Sequence, residues 1–321
     1  MGRYMNKIEY NILSFYLTRV LFMGGGFSLL VNVCHNNLLI SSFLGMLLGY
    51  FLLFLIYKKG NINKIMKIII SLVILIINII GVTALTSTHL LFKTPSIIVV
   101  IALVLVLLYG SKKDIKNIGW IAFILIFISS FIVGIACLNL FRYTKLTNLL
   151  PLFDTGVMDF IKGIIIFAGT STLPNVLLIE YKGNMKFKDI SIGYIIGALL
   201  MILVLFFING TYGYEFASIL RFPEYSILRN IDLFNFLTNI ENIFMLEWIS
   251  CIIVCGLLCF KVLRNNTKPR MFYTIISLLV FGIYTMLIMN YPNVLYVKEY
   301  FYYLFSVLLL LALLIKKEKS K

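Results

Sequence analysis

Residues Leu149–Glu180, LLPLFDTGVMDFIKGIIIFAGTSTLPNVLLIE, decide how the rest of the chain is read. The stretch is long and apolar enough to cross a bilayer, which takes about 20 residues of helix. Its middle nevertheless carries Gly169, Thr170, Ser171, Thr172 and Pro174. Pro174 removes a backbone donor and crowds the preceding turn, and Gly169 makes a helix easy to open. Backbone freed inside a membrane has to be satisfied by protein or by water, so a break here would line a cavity. Membrane transporters bind substrate at discontinuous helices, and the diagnostic is a matching break in the other half of the chain. A match exists: Gly24, Gly25 and Gly26 fall inside the first hydrophobic span, followed by Ser28 and Asn32. The competing reading is that the glycines serve close helix packing and that the proline only kinks its helix.

Composition bounds the class. Hydrophobic residues make up 61% of the chain, charged residues 13%, and the mean hydropathy is +1.01. Such values belong to a polytopic helical membrane protein embedded in a lipid bilayer. The net charge of +15 sits in short loops between apolar spans. That placement orients a membrane protein and argues against nucleic acid as a partner. The N-terminus runs into a full span with no small-residue cleavage site, so no cleavable signal is expected. Cys251, Cys255 and Cys259 recur every four residues on one helix face without a nearby histidine, which reads as packing and not as a metal site. Cys34 and Cys137 both fall near the outer ends of spans, which leaves open whether they pair. His35 and His89 are far apart in sequence. No Ser-His-Asp spacing, paired-carboxylate site or phosphate loop stands out, so neither enzymatic activity nor a cofactor is expected.

Ten hydrophobic spans follow one another at roughly 10–34, 38–57, 66–89, 95–110, 117–139, 157–180, 190–213, 240–262, 271–290 and 296–315. Twenty of the 28 Lys and Arg residues fall on one side of this alternation, among them Lys58, Lys59, Lys112, Lys113, Lys182 and Lys316, and six fall on the other. The bias places both termini in the cytoplasm. The halves, about 10–139 and 157–315, form one transmembrane domain. Five spans in each half make the second enter from the opposite side, as an inverted repeat with broken first and sixth helices requires.

Four polar features stand apart. The connection Gly213–Asn239 is long and rich in Phe, Ile and Leu, so it reads as an outward-facing amphipathic segment over the mouth of a cavity. Asp159 and Lys162 lie three apart and are placed to pair. Glu247 lies about two turns into the eighth span, where a carboxylate needs a partner, water or a route to the interface. Arg19, about three turns into the first span, is expected to snorkel to the cytoplasmic interface.

Four stretches, in order, resemble the spore germination receptor B-subunit family, a branch of the amino acid–polyamine–organocation transporters. They are Ile40–Gly60 (second span and turn), Lys93–Ile118 (Thr-Pro entry to the fourth span and its basic exit), Leu149–Gly163 (approach to the sixth) and Arg221–Trp248 (passage into the eighth). Glu247 departs from the family pattern, which is apolar there, and the loops are clipped. The resemblance implies a ten-helix broken-helix transporter fold in the inner membrane of a dormant spore. It also implies nutrient sensing alongside an A-type subunit and a C-type lipoprotein.

The expected function is a permease-like subunit of a spore germinant receptor that binds an amino acid or similar small nutrient between the first and sixth spans. The expected ligand-binding residues are Gly24, Gly25, Gly26, Ser28, Gly169, Thr170, Ser171 and Thr172, with Pro174 and Glu247 in gating or coupling. A secondary amino-acid transporter coupled to a proton or sodium, and a membrane scaffold without ligand, remain the alternatives.

Overall fold

The computed structural model describes residues 5–23, 25–60, 62–86, 93–229, 241–289 and 291–315. The helices are α1 (Lys7–Arg19), α2 (Gly26–Cys34), α3 (Leu38–Lys59), α4 (Lys64–Leu85), α5 (Ser96–Ser111) and α6 (Ile115–Leu140). After a loop come α7 (Val157–Leu178), α8 (Phe187–Ile219), the short α9 (Pro223–Leu228), α10 (Glu241–Asn266), α11 (Pro269–Met289) and α12 (Tyr291–Leu314). No strand occurs among the described residues. Among the described residues, five segments are long and apolar enough to cross a membrane, and four further apolar helices are shorter. The protein is an all-α polytopic membrane protein, and helix occupies each of the ten expected spans. At about 1.5 Å per residue the 16-residue α5 reaches about 24 Å, short of a ~30 Å hydrocarbon core.

The first span is two helices. α1 starts at a capping box in which Asn6 Oδ1 accepts the Glu9 N–H at 2.8 Å and Glu9 Oε2 accepts the Asn6 N–H at 3.0 Å. It stops at Arg19, and α2 restarts after Gly25, whose φ of 134° is a conformation side chains with a Cβ rarely adopt. Gly24 lies outside the described residues.

The sixth span corrects the expectation of a second break. α7 runs unbroken through Gly169, Thr170, Ser171, Thr172 and Pro174. Thr170 Oγ1 donates to the Ile166 carbonyl at 2.6 Å and Ser171 Oγ to Phe167 at 2.8 Å, so these hydroxyls are satisfied within the helix. Every residue from Ile166 to Leu178 is buried. Unwinding there would strand more backbone groups in a packed interior at several kcal/mol each, which outweighs the ~3 kcal/mol that a proline costs a helix. Gly169 serves close packing: a Cβ there would lie 2.6 Å from Ser306 Oγ on α12.

The most extensive contacts join α3 to α7 and α8 to α1. Both rest on a pair of glycines four residues apart. A Cβ on Gly45 would sit 2.7 Å from the Phe167 Cβ, and one on Gly49 would collide with the Tyr194 hydroxyl and Thr172. On α8, a Cβ on Gly193 would overlap the backbone carbonyl oxygen of Asn11, and one on Gly197 would lie 2.9 Å from that of Phe15. Small residues at this spacing let membrane helices approach closely. The pairing of spans two and six is thus exchanged with that of spans seven and one. The contacts of α6 with α1 and of α12 with α7 exchange in the same way. Any internal two-fold repeat of five spans, parallel or inverted, exchanges its contacts in this way.

Polar contacts gather the lysine-bearing ends at one end of the bundle. Lys59 Nζ donates to the Ala312 and Leu313 carbonyls at 2.8 and 2.6 Å, capping the last turn of α12. Lys67 pairs with Glu180 at 3.2 Å, and Asn266 Nδ2 lies 3.3 Å from the same carboxylate. Lys261 Nζ donates to the Lys113 carbonyl at 2.6 Å. At the other end Lys162 pairs with Asp159 at 2.6 Å, as their spacing predicts. Cys34 and Cys137 are both free thiols, with Cys34 buried against Gly163 and Ser41 at the α3–α7 contact.

Candidate functional site

The break between α1 and α2 leaves Arg19 as the last residue of a helix that ends inside the bundle. Its side chain is 1% exposed and does not reach an interface. The expected snorkelling is replaced by a buried ion pair between Arg19 Nη1 and Glu247 Oε1 on α10. Arg19 Nε also donates to the Phe15 carbonyl at 3.3 Å, and Nη2 lies 3.2 Å from Cys251 Sγ. The Phe15 ring, 3.9 Å from the guanidinium carbon, covers one face of the cation. The depth of each residue explains the pairing. Thirteen residues of α1 rise about 20 Å from one side, and Glu247 is a few residues into α10 from the other, so both charges stand in hydrocarbon where neither is tolerated alone.

A cavity of about 70 Å³ opens beside this pair, with room for on the order of five waters at ~10–15 Å³ each. Arg19, Met23 and Phe27 from the two sides of the break line it, together with Glu247 and Trp248 of α10 and Met201 and Phe207 of α8. α9 contributes Glu224, Ile227 and Leu228, so part of the long connection covers the cavity as its composition predicts. Residues 230–239 of that connection lie outside the described residues. An open groove of about 400 Å³ between α6 and α8, walled by Phe15, Gly134 and Leu199, reaches Arg19 from the membrane-facing flank.

The expected site residues divide into two groups. Gly25 and Gly26 form the break, where the Phe22 carbonyl accepts the Gly26 N–H at 3.0 Å and the Ser28 hydroxyl donates to the Gly25 carbonyl at 3.0 Å; none of the three is in the cavity wall, which the break meets through Met23 and Phe27. Glu247 lines the cavity. Gly169, Thr170, Ser171, Thr172 and Pro174 do not: no α7 residue forms its wall. Ser171 lies 2.9 Å and Thr172 3.4 Å from the Tyr194 hydroxyl, which holds α7 to α8. Asn175, the residue after Pro174, reaches Ser14 at 2.7 Å and Thr18 at 2.9 Å on α1. These polar groups are spent on helix–helix contacts. Residue-level reading missed the partnership of Arg19 with Glu247, although two opposite charges within apolar spans are a visible signal. It also missed Phe27 and Trp248, which look like any apolar residue of a span.

Of the glycines at the break, Gly25 alone among the described residues has a backbone that demands glycine. Gly25→Ala is expected to cost about 1–3 kcal/mol in backbone strain and to displace α2 from the cavity wall. A fall in the unfolding temperature of the detergent-purified protein checks this. An unchanged temperature would mean that the turn relaxes freely.

Residues 39–294 match the family of spore permeases described as "Spore germination protein". No curated protein matches the chain. The matched region runs from the start of α3 to the beginning of α12, and the chain belongs to the spore germination protein family of membrane permeases.

Proposed function

We propose that the protein is the permease-like, ligand-recognising membrane subunit of a spore germinant receptor, and that it holds a small nutrient such as an amino acid in the cavity beside the broken first span. The observation that carries this reading is a cavity lined by Met23 and Phe27, which flank the break at Gly25, with a buried charged pair in its wall. Irregular backbone at membrane depth is tolerated where it lines such a space, and an intramembrane charge marks function. The nutrient rests against the α1–α2 break around Gly24–Ser28 and against Glu247. Thr170, Ser171 and Thr172 support the site by fastening α7 to α8. Binding shifts the conformational equilibrium by its differential affinity for the two states, and A-type and C-type receptor subunits pass that shift on. The setting is the inner membrane of the spore.

A buried carboxylate bordering the cavity also supports the second reading, a secondary transporter coupled to a proton or sodium. Reconstituted vesicles separate the two. Nutrient binding without accumulation is expected for the receptor subunit, and concentrative uptake driven by an ion gradient would replace it with the transporter. A cavity that binds no nutrient would leave a scaffold.

Both termini and the Lys58–Lys67 loop face the cytoplasm in this reading, supported by the lysine bias and by the Lys59 cap on the end of α12. Thiol labelling of single cysteines placed at Lys64 and Lys268 is expected to require permeabilised cells. Labelling in intact cells would invert the topology.

A further inference from the structure

A second cavity, of about 270 Å³, lies at the lysine-bearing end of the bundle between the ends of α5, α10 and α11. Leu105, Leu108 and Tyr109 of α5 line it with Lys112, which caps that helix, Arg264 from the last turn of α10 and Tyr273 near the start of α11. No residue lines both this cavity and the one beside the α1–α2 break. The wall is graded from charge to hydrocarbon. Residues 105, 108, 109 and 112 stand three, four and seven apart and so share one helix face. At about 1.5 Å per residue, Leu105 lies about 10 Å further into the span than Lys112. A different face of α5 is closed on α10, where a Cβ on Gly110 would meet Leu257. Leu105, Tyr109 and Tyr273 are exposed. An exposed leucine in a span faces acyl chains, and tyrosines at span ends mark the headgroup level.

The charge here is one-sided. The turns at residues 112–116 and 264–270 carry Lys112, Lys113, Lys116, Arg264, Lys268 and Arg270 against one acid, Asp114. Among the described residues, neither Lys112 nor Arg264 forms an ion pair. A cleft lined by one sign of charge concentrates the opposite ion. At about 24 Å, α5 is also shorter than the hydrocarbon core, and a short span draws the headgroup layer inward to its ends.

We propose that this cavity binds an anionic phospholipid, with its phosphate shared by Lys112 and Arg264 and one acyl chain running inward along Leu105 and Leu108. Basic pockets between membrane helices hold acidic headgroups in this way. The apolar wall selects an amphiphile, since a free phosphate ion would leave Leu105 and Leu108 without a role. The lipid bridges the ends of α5, α10 and α11. It stands apart from the nutrient cavity and does not depend on that reading.

The test titrates the full chain in mild detergent with phosphatidylglycerol or with phosphatidylcholine of the same acyl chains, and counts bound lipid by native mass spectrometry. Phosphatidylglycerol is expected to bind at least about tenfold more tightly, since each Lys or Arg near the headgroup contributes about fivefold. The variant K112Q/R264Q is expected to remove that preference. Both side chains are exposed, so its unfolding temperature in detergent should be unchanged. K64Q/K188Q removes the same charge from two exposed lysines on α4 and α8 and is expected to keep the preference. Leu105→Trp fills the cavity from an exposed position without altering charge. It is expected to reduce phosphatidylglycerol to the level of phosphatidylcholine. Equal binding of the two lipids would overturn the proposal, as would a preference that survives in K112Q/R264Q. An equal loss in K64Q/K188Q would overturn it by assigning the preference to net charge. Displacement of the lipid by equimolar inorganic phosphate would overturn it in favour of a free-anion site. Unchanged phosphatidylglycerol affinity in the Leu105→Trp protein would overturn it by placing the lipid outside the cavity.

Discussion

Glu247→Leu is expected to cost the protein about 3–5 kcal/mol, because it leaves the Arg19 guanidinium buried without its counter-charge. Leucine is an ordinary residue for an apolar span, so the substitution looks conservative from sequence. Its effect comes from the partner. Arg19 cannot reach an interface without dismantling the end of α1, since its Nε is tied to the Phe15 carbonyl and its plane lies against the Phe15 ring. The expected result is a large loss of folded protein in mild detergent, and the double variant Arg19→Met with Glu247→Leu should recover most of it, since well-packed apolar residues replace buried pairs at little cost. A double-mutant cycle by thermal unfolding measures this directly. A coupling near zero between the two positions would mean that Arg19 finds water or another acceptor when Glu247 is gone.

The second large effect belongs to Gly193. A Cβ at this position falls on the backbone carbonyl oxygen of Asn11, and a backbone atom on a packed helix has no rotamer by which to move away. Gly193→Ala should therefore push α8 from α1 and cost about 3 kcal/mol, the upper end of what overpacking does. Gly134→Ala is the control. Nothing lies within 4 Å of a Cβ there, so the change should be neutral or gain about 0.5–1 kcal/mol of helix preference. The same contact bounds one wall of the site, because α1 carries Arg19 and α8 carries Met201 and Phe207. A destabilised Gly193→Ala protein should lose ligand binding together with stability. Equal unfolding temperatures for the two alanine variants would show that α1 and α8 separate without penalty.

The glycine pairs that seat one half of the chain against the other are legible in the sequence. Gly45 with Gly49 and Gly193 with Gly197 recur in the second span of each half, and each pair seats the broken or kink-prone span of the other half. The two interruptions that drew attention first, at Gly24–Gly26 and at Gly169–Pro174, have different fates. A single-sequence reading weighs both alike, since each combines glycine with residues that favour an open helix. In the fold only the first opens. The polar side chains of α7 find partners on its own turns, on Tyr194 and on α1, and that removes the reason to unwind.

Properties that depend on local composition and period can be read from the amino-acid order alone. Apolar runs of bilayer length gave the ten spans, charge bias set their expected orientation, the Asp159–Lys162 spacing placed that pair, and three glycines marked the interruption of the first span. The pairing of the two buried charges appears only in three dimensions. Arg19 and Glu247 are 228 residues apart, and neither carries a local mark that tells a shallow, snorkelling charge from a deep one. Their depth follows from where α1 stops and from how α10 crosses it. A buried charge takes its meaning from what is packed against it, and that is a property of neighbours in space.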